Sequence, residues 1–174
     1  MPPSRARPIA LPPAVRVASL YPGAFLADAY AIDLPTDATQ DITQLARFAL
    51  ERQAPWVDGL MGVRDAVMGT LGLKTASQLR ANTTPATPRV GIFRIYETLA
   101  DEIVLGEDDG HLDFRVSVHR RPASAGMPPQ LTTVTVVHCH NLLGRNYIRV
   151  IGPIHKRVVR SALDRAAQSG WPTA

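Results

Sequence analysis

Residues 102–121 read EIVLGEDDGHLDFRVSVHRR, two apolar-bearing runs around a glycine- and acid-rich centre. From His111 the side chains alternate. His111, Asp113, Arg115, Ser117 and His119 fall on one face of a strand, and Leu112, Phe114, Val116 and Val118 on the other. The reading predicts strands over Glu102–Leu105 and His111–Arg121, with Gly106 to Gly110 as the connecting turn. Pairing Gly106 with His111 sets Glu102 opposite Arg115 and Ile103 opposite Phe114. On a solvated face, a cross-strand ion pair of that kind contributes about 0.2–1 kcal/mol. Asp113 would give Arg115 a second partner.

Downstream of this hairpin, Arg121 to Pro129 is a proline- and glycine-rich connector, and Leu131–His140 is a Thr/Val-rich strand. A long helix then runs from Arg145 to Gln168, with Tyr147, Ile151, Ile154, Val158, Ala162 and Ala166 on one stripe. Pro153 leaves two versions: one helix kinked there, which is preferred, or a last strand over Asn146–Ile151 with Pro153 opening the helix. Upstream, Val90–Tyr96 is a strand and Leu73–Pro88 a loop. Trp56, Val57, Leu60, Val63, Val67 and Leu71 repeat at helical spacing behind Pro55. Asp41 with Gln44 opens another short helix, running to Gln53. Ala24–Leu34 is the first strand. Residues 1–22, with five prolines in the first 13, predict a flexible arm with polyproline II bias. The order predicts a two-layer α+β domain over residues 23–174. A curved antiparallel sheet wraps a long C-terminal helix, two short helices follow strand 1, and a cavity lies between sheet and helix.

Composition narrows the function classes. The chain has 174 residues, 45% hydrophobic and 20% charged, which excludes collagen-like and wholly disordered readings. No apolar run reaches the ~20 residues of a membrane helix. The net charge of +4 falls to +1 without Arg5, Arg7 and Arg16. The basic stretch Arg145 to Arg165 is interleaved with one aromatic residue, Tyr147, so no nucleic-acid partner is expected. Cys139 is the single cysteine, which fits a reducing compartment. Together with the absence of a signal-like core near residue 1, this predicts a cytoplasmic protein.

Several segments together carry a family resemblance: Pro55-Trp56-Val57, Arg64-Asp65, Gly72-Leu73-Lys74, Gly91-Ile92-Phe93, Leu105-Gly106-Glu107-Asp108-Asp109-Gly110-His111-Leu112-Asp113-Phe114-Arg115, Gly144-Arg145-Asn146-Tyr147 and Ile151-Gly152-Pro153-Ile154-His155. Over residues 24–168 the chain resembles a bacterial domain family of unknown function within the helix-grip (START-like, SRPBCC-type) superfamily. The resemblance implies a helix-grip fold. It also implies an association with NAD(P)-binding reductase-like domains, to which such domains occur fused. It implies no catalytic residue set, and no glycine-rich dinucleotide fingerprint is present, so no cofactor is expected.

The expected function is to hold a small, largely apolar molecule in the cavity, without catalysis. Trp56, Phe93, Phe114, Tyr147 and His155 are its candidate lining. A protein-interaction or accessory module for a reductase, or a homodimer, is the first alternative. An enzyme is the second, using His111 as acid/base with Asp113, and Arg115 as anion holder. A metal is not expected. The alternative set is His111, Asp113, His138 and His140, which converge only if His111 meets His140 and Asp113 meets His138 across neighbouring strands. Glu107, Asp108 and Asp109 lack calcium-loop spacing. Cys139 between two histidines could be an activated thiol, but in a Thr/Val strand it reads as a small apolar side chain.

Overall fold

The computed structural model describes residues 4–51 and 88–173. Among these, seven strands form one antiparallel sheet in the order β1-β2-β7-β6-β5-β4-β3. The strands are β1 (Arg7–Pro8), β2 (Leu26–Asp33), β3 (Arg89–Val90), β4 (Phe93–Thr98), β5 (Glu102–Asp108), β6 (Leu112–Arg121) and β7 (Gln130–Cys139). Two α-helices accompany them, α1 (Ile42–Glu51) and α2 (Leu142–Ser169). The arrangement is the expected α+β one, a sheet against a long C-terminal helix. The expected second helix after strand 1, with Trp56, and the loop that follows it lie outside the described residues.

Asp41 caps α1, its Oδ1 accepting from the backbone of Thr43 at 2.8 Å and Gln44 at 3.1 Å. Ile42, Leu45, Ala46 and Ala49 turn inward onto one face. They meet Ile103, Leu105, Val116, Val118 and Leu131 from the sheet and Leu163 and Ala166 from α2, which together form the main core. Each large side chain fully buried there contributes about 1.5–3 kcal/mol. Asn141 caps α2, accepting from Gly144 N at 3.0 Å. The helix runs unbroken through Pro153, so the single-helix version holds and residues 146–151 are helix, not strand. Pro153 sits on the exposed side, where water can satisfy the carbonyl it leaves without a donor. Beyond α2 the chain folds back: Thr39 N donates to Pro172 O at 2.7 Å, and Trp171 is buried beside Phe48.

Three local expectations need correction. The β5–β6 hairpin pairs Gly106 with Arg115, Ile103 with Val118 and Glu102 with His119. This is a four-residue shift from the expected pairing. The strands continue through Gly106, Glu107 and Asp108, and the turn is confined to Asp109–His111. An even shift preserves which side chains share a face. The Val90–Tyr96 strand is interrupted: Gly91, at φ +59, makes a tight turn and splits it into β3 and β4. Residues 4–22, expected as part of a flexible arm, carry secondary structure. β1 pairs with β2, and a 3-10 helix, Arg16–Leu20, lies against the sheet face away from α2. There Val15 and Val17 are buried against Ala29, Val104, Val134 and Val136. Pro8 is tolerated because β1 is an edge strand.

Candidate functional site

The sheet has two faces, and each carries a polar set. Toward α2, β2 presents Leu26, Asp28, Tyr30 and Ile32, and β7 presents Leu131, Thr133, Thr135 and Val137. Asp28 stands directly across from Thr135. Its Oδ1 lies 3.3 Å from Nε2 of His155 on α2. Among the described residues, neither its buried Oδ2 nor the buried Oγ1 of Thr133 has a hydrogen-bond partner. Gly152, three residues before His155, packs against Leu26 with room for no more than a Cβ, so α2 lies close to this part of β2. An orphaned buried acceptor costs about 1–3 kcal/mol, so this pair of unmet groups requires a reason.

The opposite, outer face carries Glu102, Val104 and Asp108 from β5, Asp113, Arg115 and Ser117 from β6, and Val134, Val136 and His138 from β7. Glu102 is buried. It accepts from Ser117 Oγ at 2.6 Å and from the backbone N–H of Arg16 at 2.9 Å. The Arg16 guanidinium makes a two-pronged contact with Glu97, and His138 Nε2 donates to Leu20 O at 2.8 Å. Beside this strapped segment, the Arg115 guanidinium lies 3.8 Å from the centre of the Tyr96 ring. Asp108 joins the two, accepting from Arg115 Nη1 and from Tyr96 Oη, both at 2.7 Å. Burial first, then the hydrogen bond to Asp108, pushes the Tyr96 phenol up to about 12, so it stays a neutral donor. Two cavities flank the 3-10 helix, of about 650 and 520 Å3, and Leu20 and Arg115 line both.

The carboxylates here make stability acid-sensitive. Burial alone would raise Asp108, but hydrogen bonds from Arg115 and Tyr96 outweigh it and hold the group below its ordinary value. Asp33 is held low chiefly by the hydrogen bonds of Arg7. A depressed folded-state pKa gives stability that is complete above the unfolded value, ~3.9, and lost as pH falls through the folded one. Urea midpoints are expected to fall between pH 5 and pH 3. Replacing both Asp33 and Asp108 by Asn is expected to flatten that fall, and an equally steep fall in the double variant would contradict the assignment.

The structure separates the His111, Asp113 and Arg115 set. Alternation ends at Leu112, where β6 begins, and the His111 ring packs edge-on against Tyr147 of α2, centroids 5.9 Å apart. Its Nδ1 lies 3.7 Å from Asp109. Asp113 instead meets His140, Nε2 to Oδ2 2.9 Å. The cross-strand register does pair Asp113 with His138, and His140 N donates to His111 O. Even so, among the described residues no group of three or more His, Cys, Asp or Glu side chains could hold a metal. His138 is committed to Leu20 on the outer face, and the His111 ring turns to Tyr147 of α2 on the other side. Phe93 and Phe114 form an edge-to-face pair, 5.8 Å apart, against the main core. Burial raises the Cys139 thiol, the opposite of activation. The Glu102–Arg115 pair gives way to Glu102–Ser117 and Arg115–Asp108. Sequence reasoning missed Asp28 as a site residue. Its signal was an acid on the otherwise apolar parity of Leu26, Tyr30 and Ile32.

Among the described residues no helix is long and apolar enough to cross a membrane. A comparison with curated proteins finds no match. A profile for a family described as proteins of unknown function matches residues 20–162, from the end of the 3-10 helix to deep within α2. The chain therefore belongs to that family, DUF2867.

Proposed function

We propose that this chain is a helix-grip domain of the START-like, SRPBCC type that holds a small, largely apolar molecule between the sheet and α2. Asp28 and Thr133 are its polar contacts, and His155 positions Asp28. The observation that carries this reading is the pair of buried acceptors without partners, Asp28 Oδ2 and Thr133 Oγ1, on the face turned toward α2. A bound hydroxyl or amine would supply the missing donor, and the neighbouring Leu26 and Tyr30 the apolar contact. Sites that keep unmet polar groups for a ligand give up stability when empty.

The test is Asp28→Leu, which keeps the branching at Cγ and removes both oxygens. Native mass spectrometry of freshly purified protein is expected to show an adduct of small-molecule size in the wild type and a bare mass in Asp28→Leu. After unfolding and refolding without ligand, the variant is expected to melt higher, by about 2–4 °C for a gain of ~1 kcal/mol. A bare wild-type mass together with a variant that melts lower would overturn the proposal.

A second reading, an interaction or accessory module for a reductase, is favoured by one surface. Leu142 and Val150, eight residues apart along α2, are 71% and 68% exposed. A pair of large apolar side chains left open on one helix face is what a protein contact covers. On that reading, Leu142→Glu with Val150→Glu shifts the oligomeric state or releases a bound partner in light scattering. An unchanged monomeric mass for both proteins would dismiss it.

A further inference from the structure

We propose that Arg115 anchors a second ligand site, on the outer face of the sheet, which takes a small organic carboxylate with an apolar body. This site does not depend on the one between sheet and α2, because the sheet separates them.

The guanidinium is already positioned. Its plane rests on Tyr96, and one nitrogen, Nη1, is used twice, toward Phe114 O at 2.8 Å and toward Asp108 Oδ1 at 2.7 Å. Among the described residues, Nε and Nη2 have no hydrogen bond. The Arg115 side chain is 21% exposed, so the open edge reaches solvent. An Nε/Nη2 edge presents two parallel N–H donors, the spacing that a carboxylate accepts in a two-pronged contact. Holding the side chain in place beforehand removes part of the entropy cost of capturing a ligand.

The surroundings select the ligand. Both cavities that meet at Arg115 fall within the ~300–1,000 Å3 usual for small-molecule sites. Leu20 and Val136 wall the second of them, the more apolar of the two, so the apolar body of the ligand lies there. The remaining charges disfavour a dianion. Asp108 already faces Arg115, Asp113 lines the second cavity, and Arg16, which lines the first, is neutralised by Glu97. A single negative charge is therefore matched here, and a phosphate dianion is not. Asp108 is the internal rival for Arg115, so removing its charge strengthens the site.

Phenylacetate is the probe, with benzyl alcohol as its uncharged counterpart and inorganic phosphate as the competing anion. In 1H–15N spectra of the full chain, phenylacetate is expected to shift Arg115 Nε–H and the amides of Ser19 and Leu20 saturably. Arg115→Gln is expected to weaken binding at least tenfold. Asp108→Asn, which leaves the guanidinium in place, is expected to tighten it at least threefold. Benzyl alcohol and phosphate are each expected to bind at least tenfold more weakly. Three results would each overturn the proposal: no saturable shift by 50 mM phenylacetate, equal binding of benzyl alcohol, or an affinity that neither substitution moves. Phosphate binding as tightly as phenylacetate would overturn the carboxylate assignment. Asp28→Leu is expected to leave all of these titrations unchanged, which separates this site from the one facing α2.

Discussion

Gly144→Ala is expected to destabilise the fold by about 3 kcal/mol, the upper end of what forced overpacking costs. A Cβ on residue 144 would run into the His111 carbonyl oxygen and stand 3.0 Å from its carbon. Both are backbone atoms, and that oxygen is fixed by the N–H of His140 at 3.0 Å. The first turn of α2 would have to lift off the β5–β6 turn, dragging Tyr147 away from His111. Alanine gains about 1 kcal/mol over glycine in a helix, which offsets only part of this. Gly110→Ala, one residue before His111 and with no atom near its added Cβ, is the matched control and should be close to neutral. Urea unfolding of the two variants decides the matter. A Gly144→Ala midpoint at or above the wild type would show that α2 is not seated on that carbonyl.

Glu102→Ala is expected to release the N-terminal segment from the outer face. Ser117 is fully buried and would lose its acceptor, as would the Arg16 N–H. Leaving two such groups unmet costs about 1–3 kcal/mol each. Part of that is avoided because the Arg16 N–H can turn to water once the segment lifts. Hydrogen exchange at Arg16 and Val17 is expected to quicken at least a hundredfold, and cleavage by a limiting protease to concentrate before residue 24. Glu102→Gln keeps one acceptor oxygen and should do less of both. Unchanged exchange at Val17 in Glu102→Ala would mean that the valine contacts alone hold the segment.

Much of the sheet was readable because alternation is a local property. The faces of β6 from Leu112 onward, and the place of β2 as the strand that precedes α1, follow from residue type and spacing. The register of β5 against β6 was not readable, for a physical reason. Glu107 and Asp108 have little preference for strands, but Glu107 faces a buried Arg89 at 2.7 Å and Asp108 faces Arg115 and Tyr96. Partners supplied from elsewhere in the chain overrode local preference and lengthened both strands. The ordering of the N-terminal segment rests on contacts with residues far along the chain, such as Glu102, Asp164 and the valines of β7, which no local periodicity registers. The candidate site was only partly readable. His155 was marked as candidate lining on the final helix, but its partner Asp28 was passed over. Asp113 found His140 in place of His111, because the turn reset the alternation one residue before the strand began.

The tethers of that first segment also set an order of events. Ala6 N–H is held by Asp164 Oδ1, 158 residues further along, and Arg16 by Glu102. During synthesis Arg16 thus waits for residue 102, and Ala6 for residue 164, before these contacts exist. Until residues 134 and 136 are made, Val15 and Val17 in turn lack their partners on β7. Contacts of such long sequence separation form slowly, and an uncovered apolar sheet face is open to wrong partners in the meantime. The interval between making Ala6 and making Asp164 is therefore the period in which this face is most exposed to wrong partners.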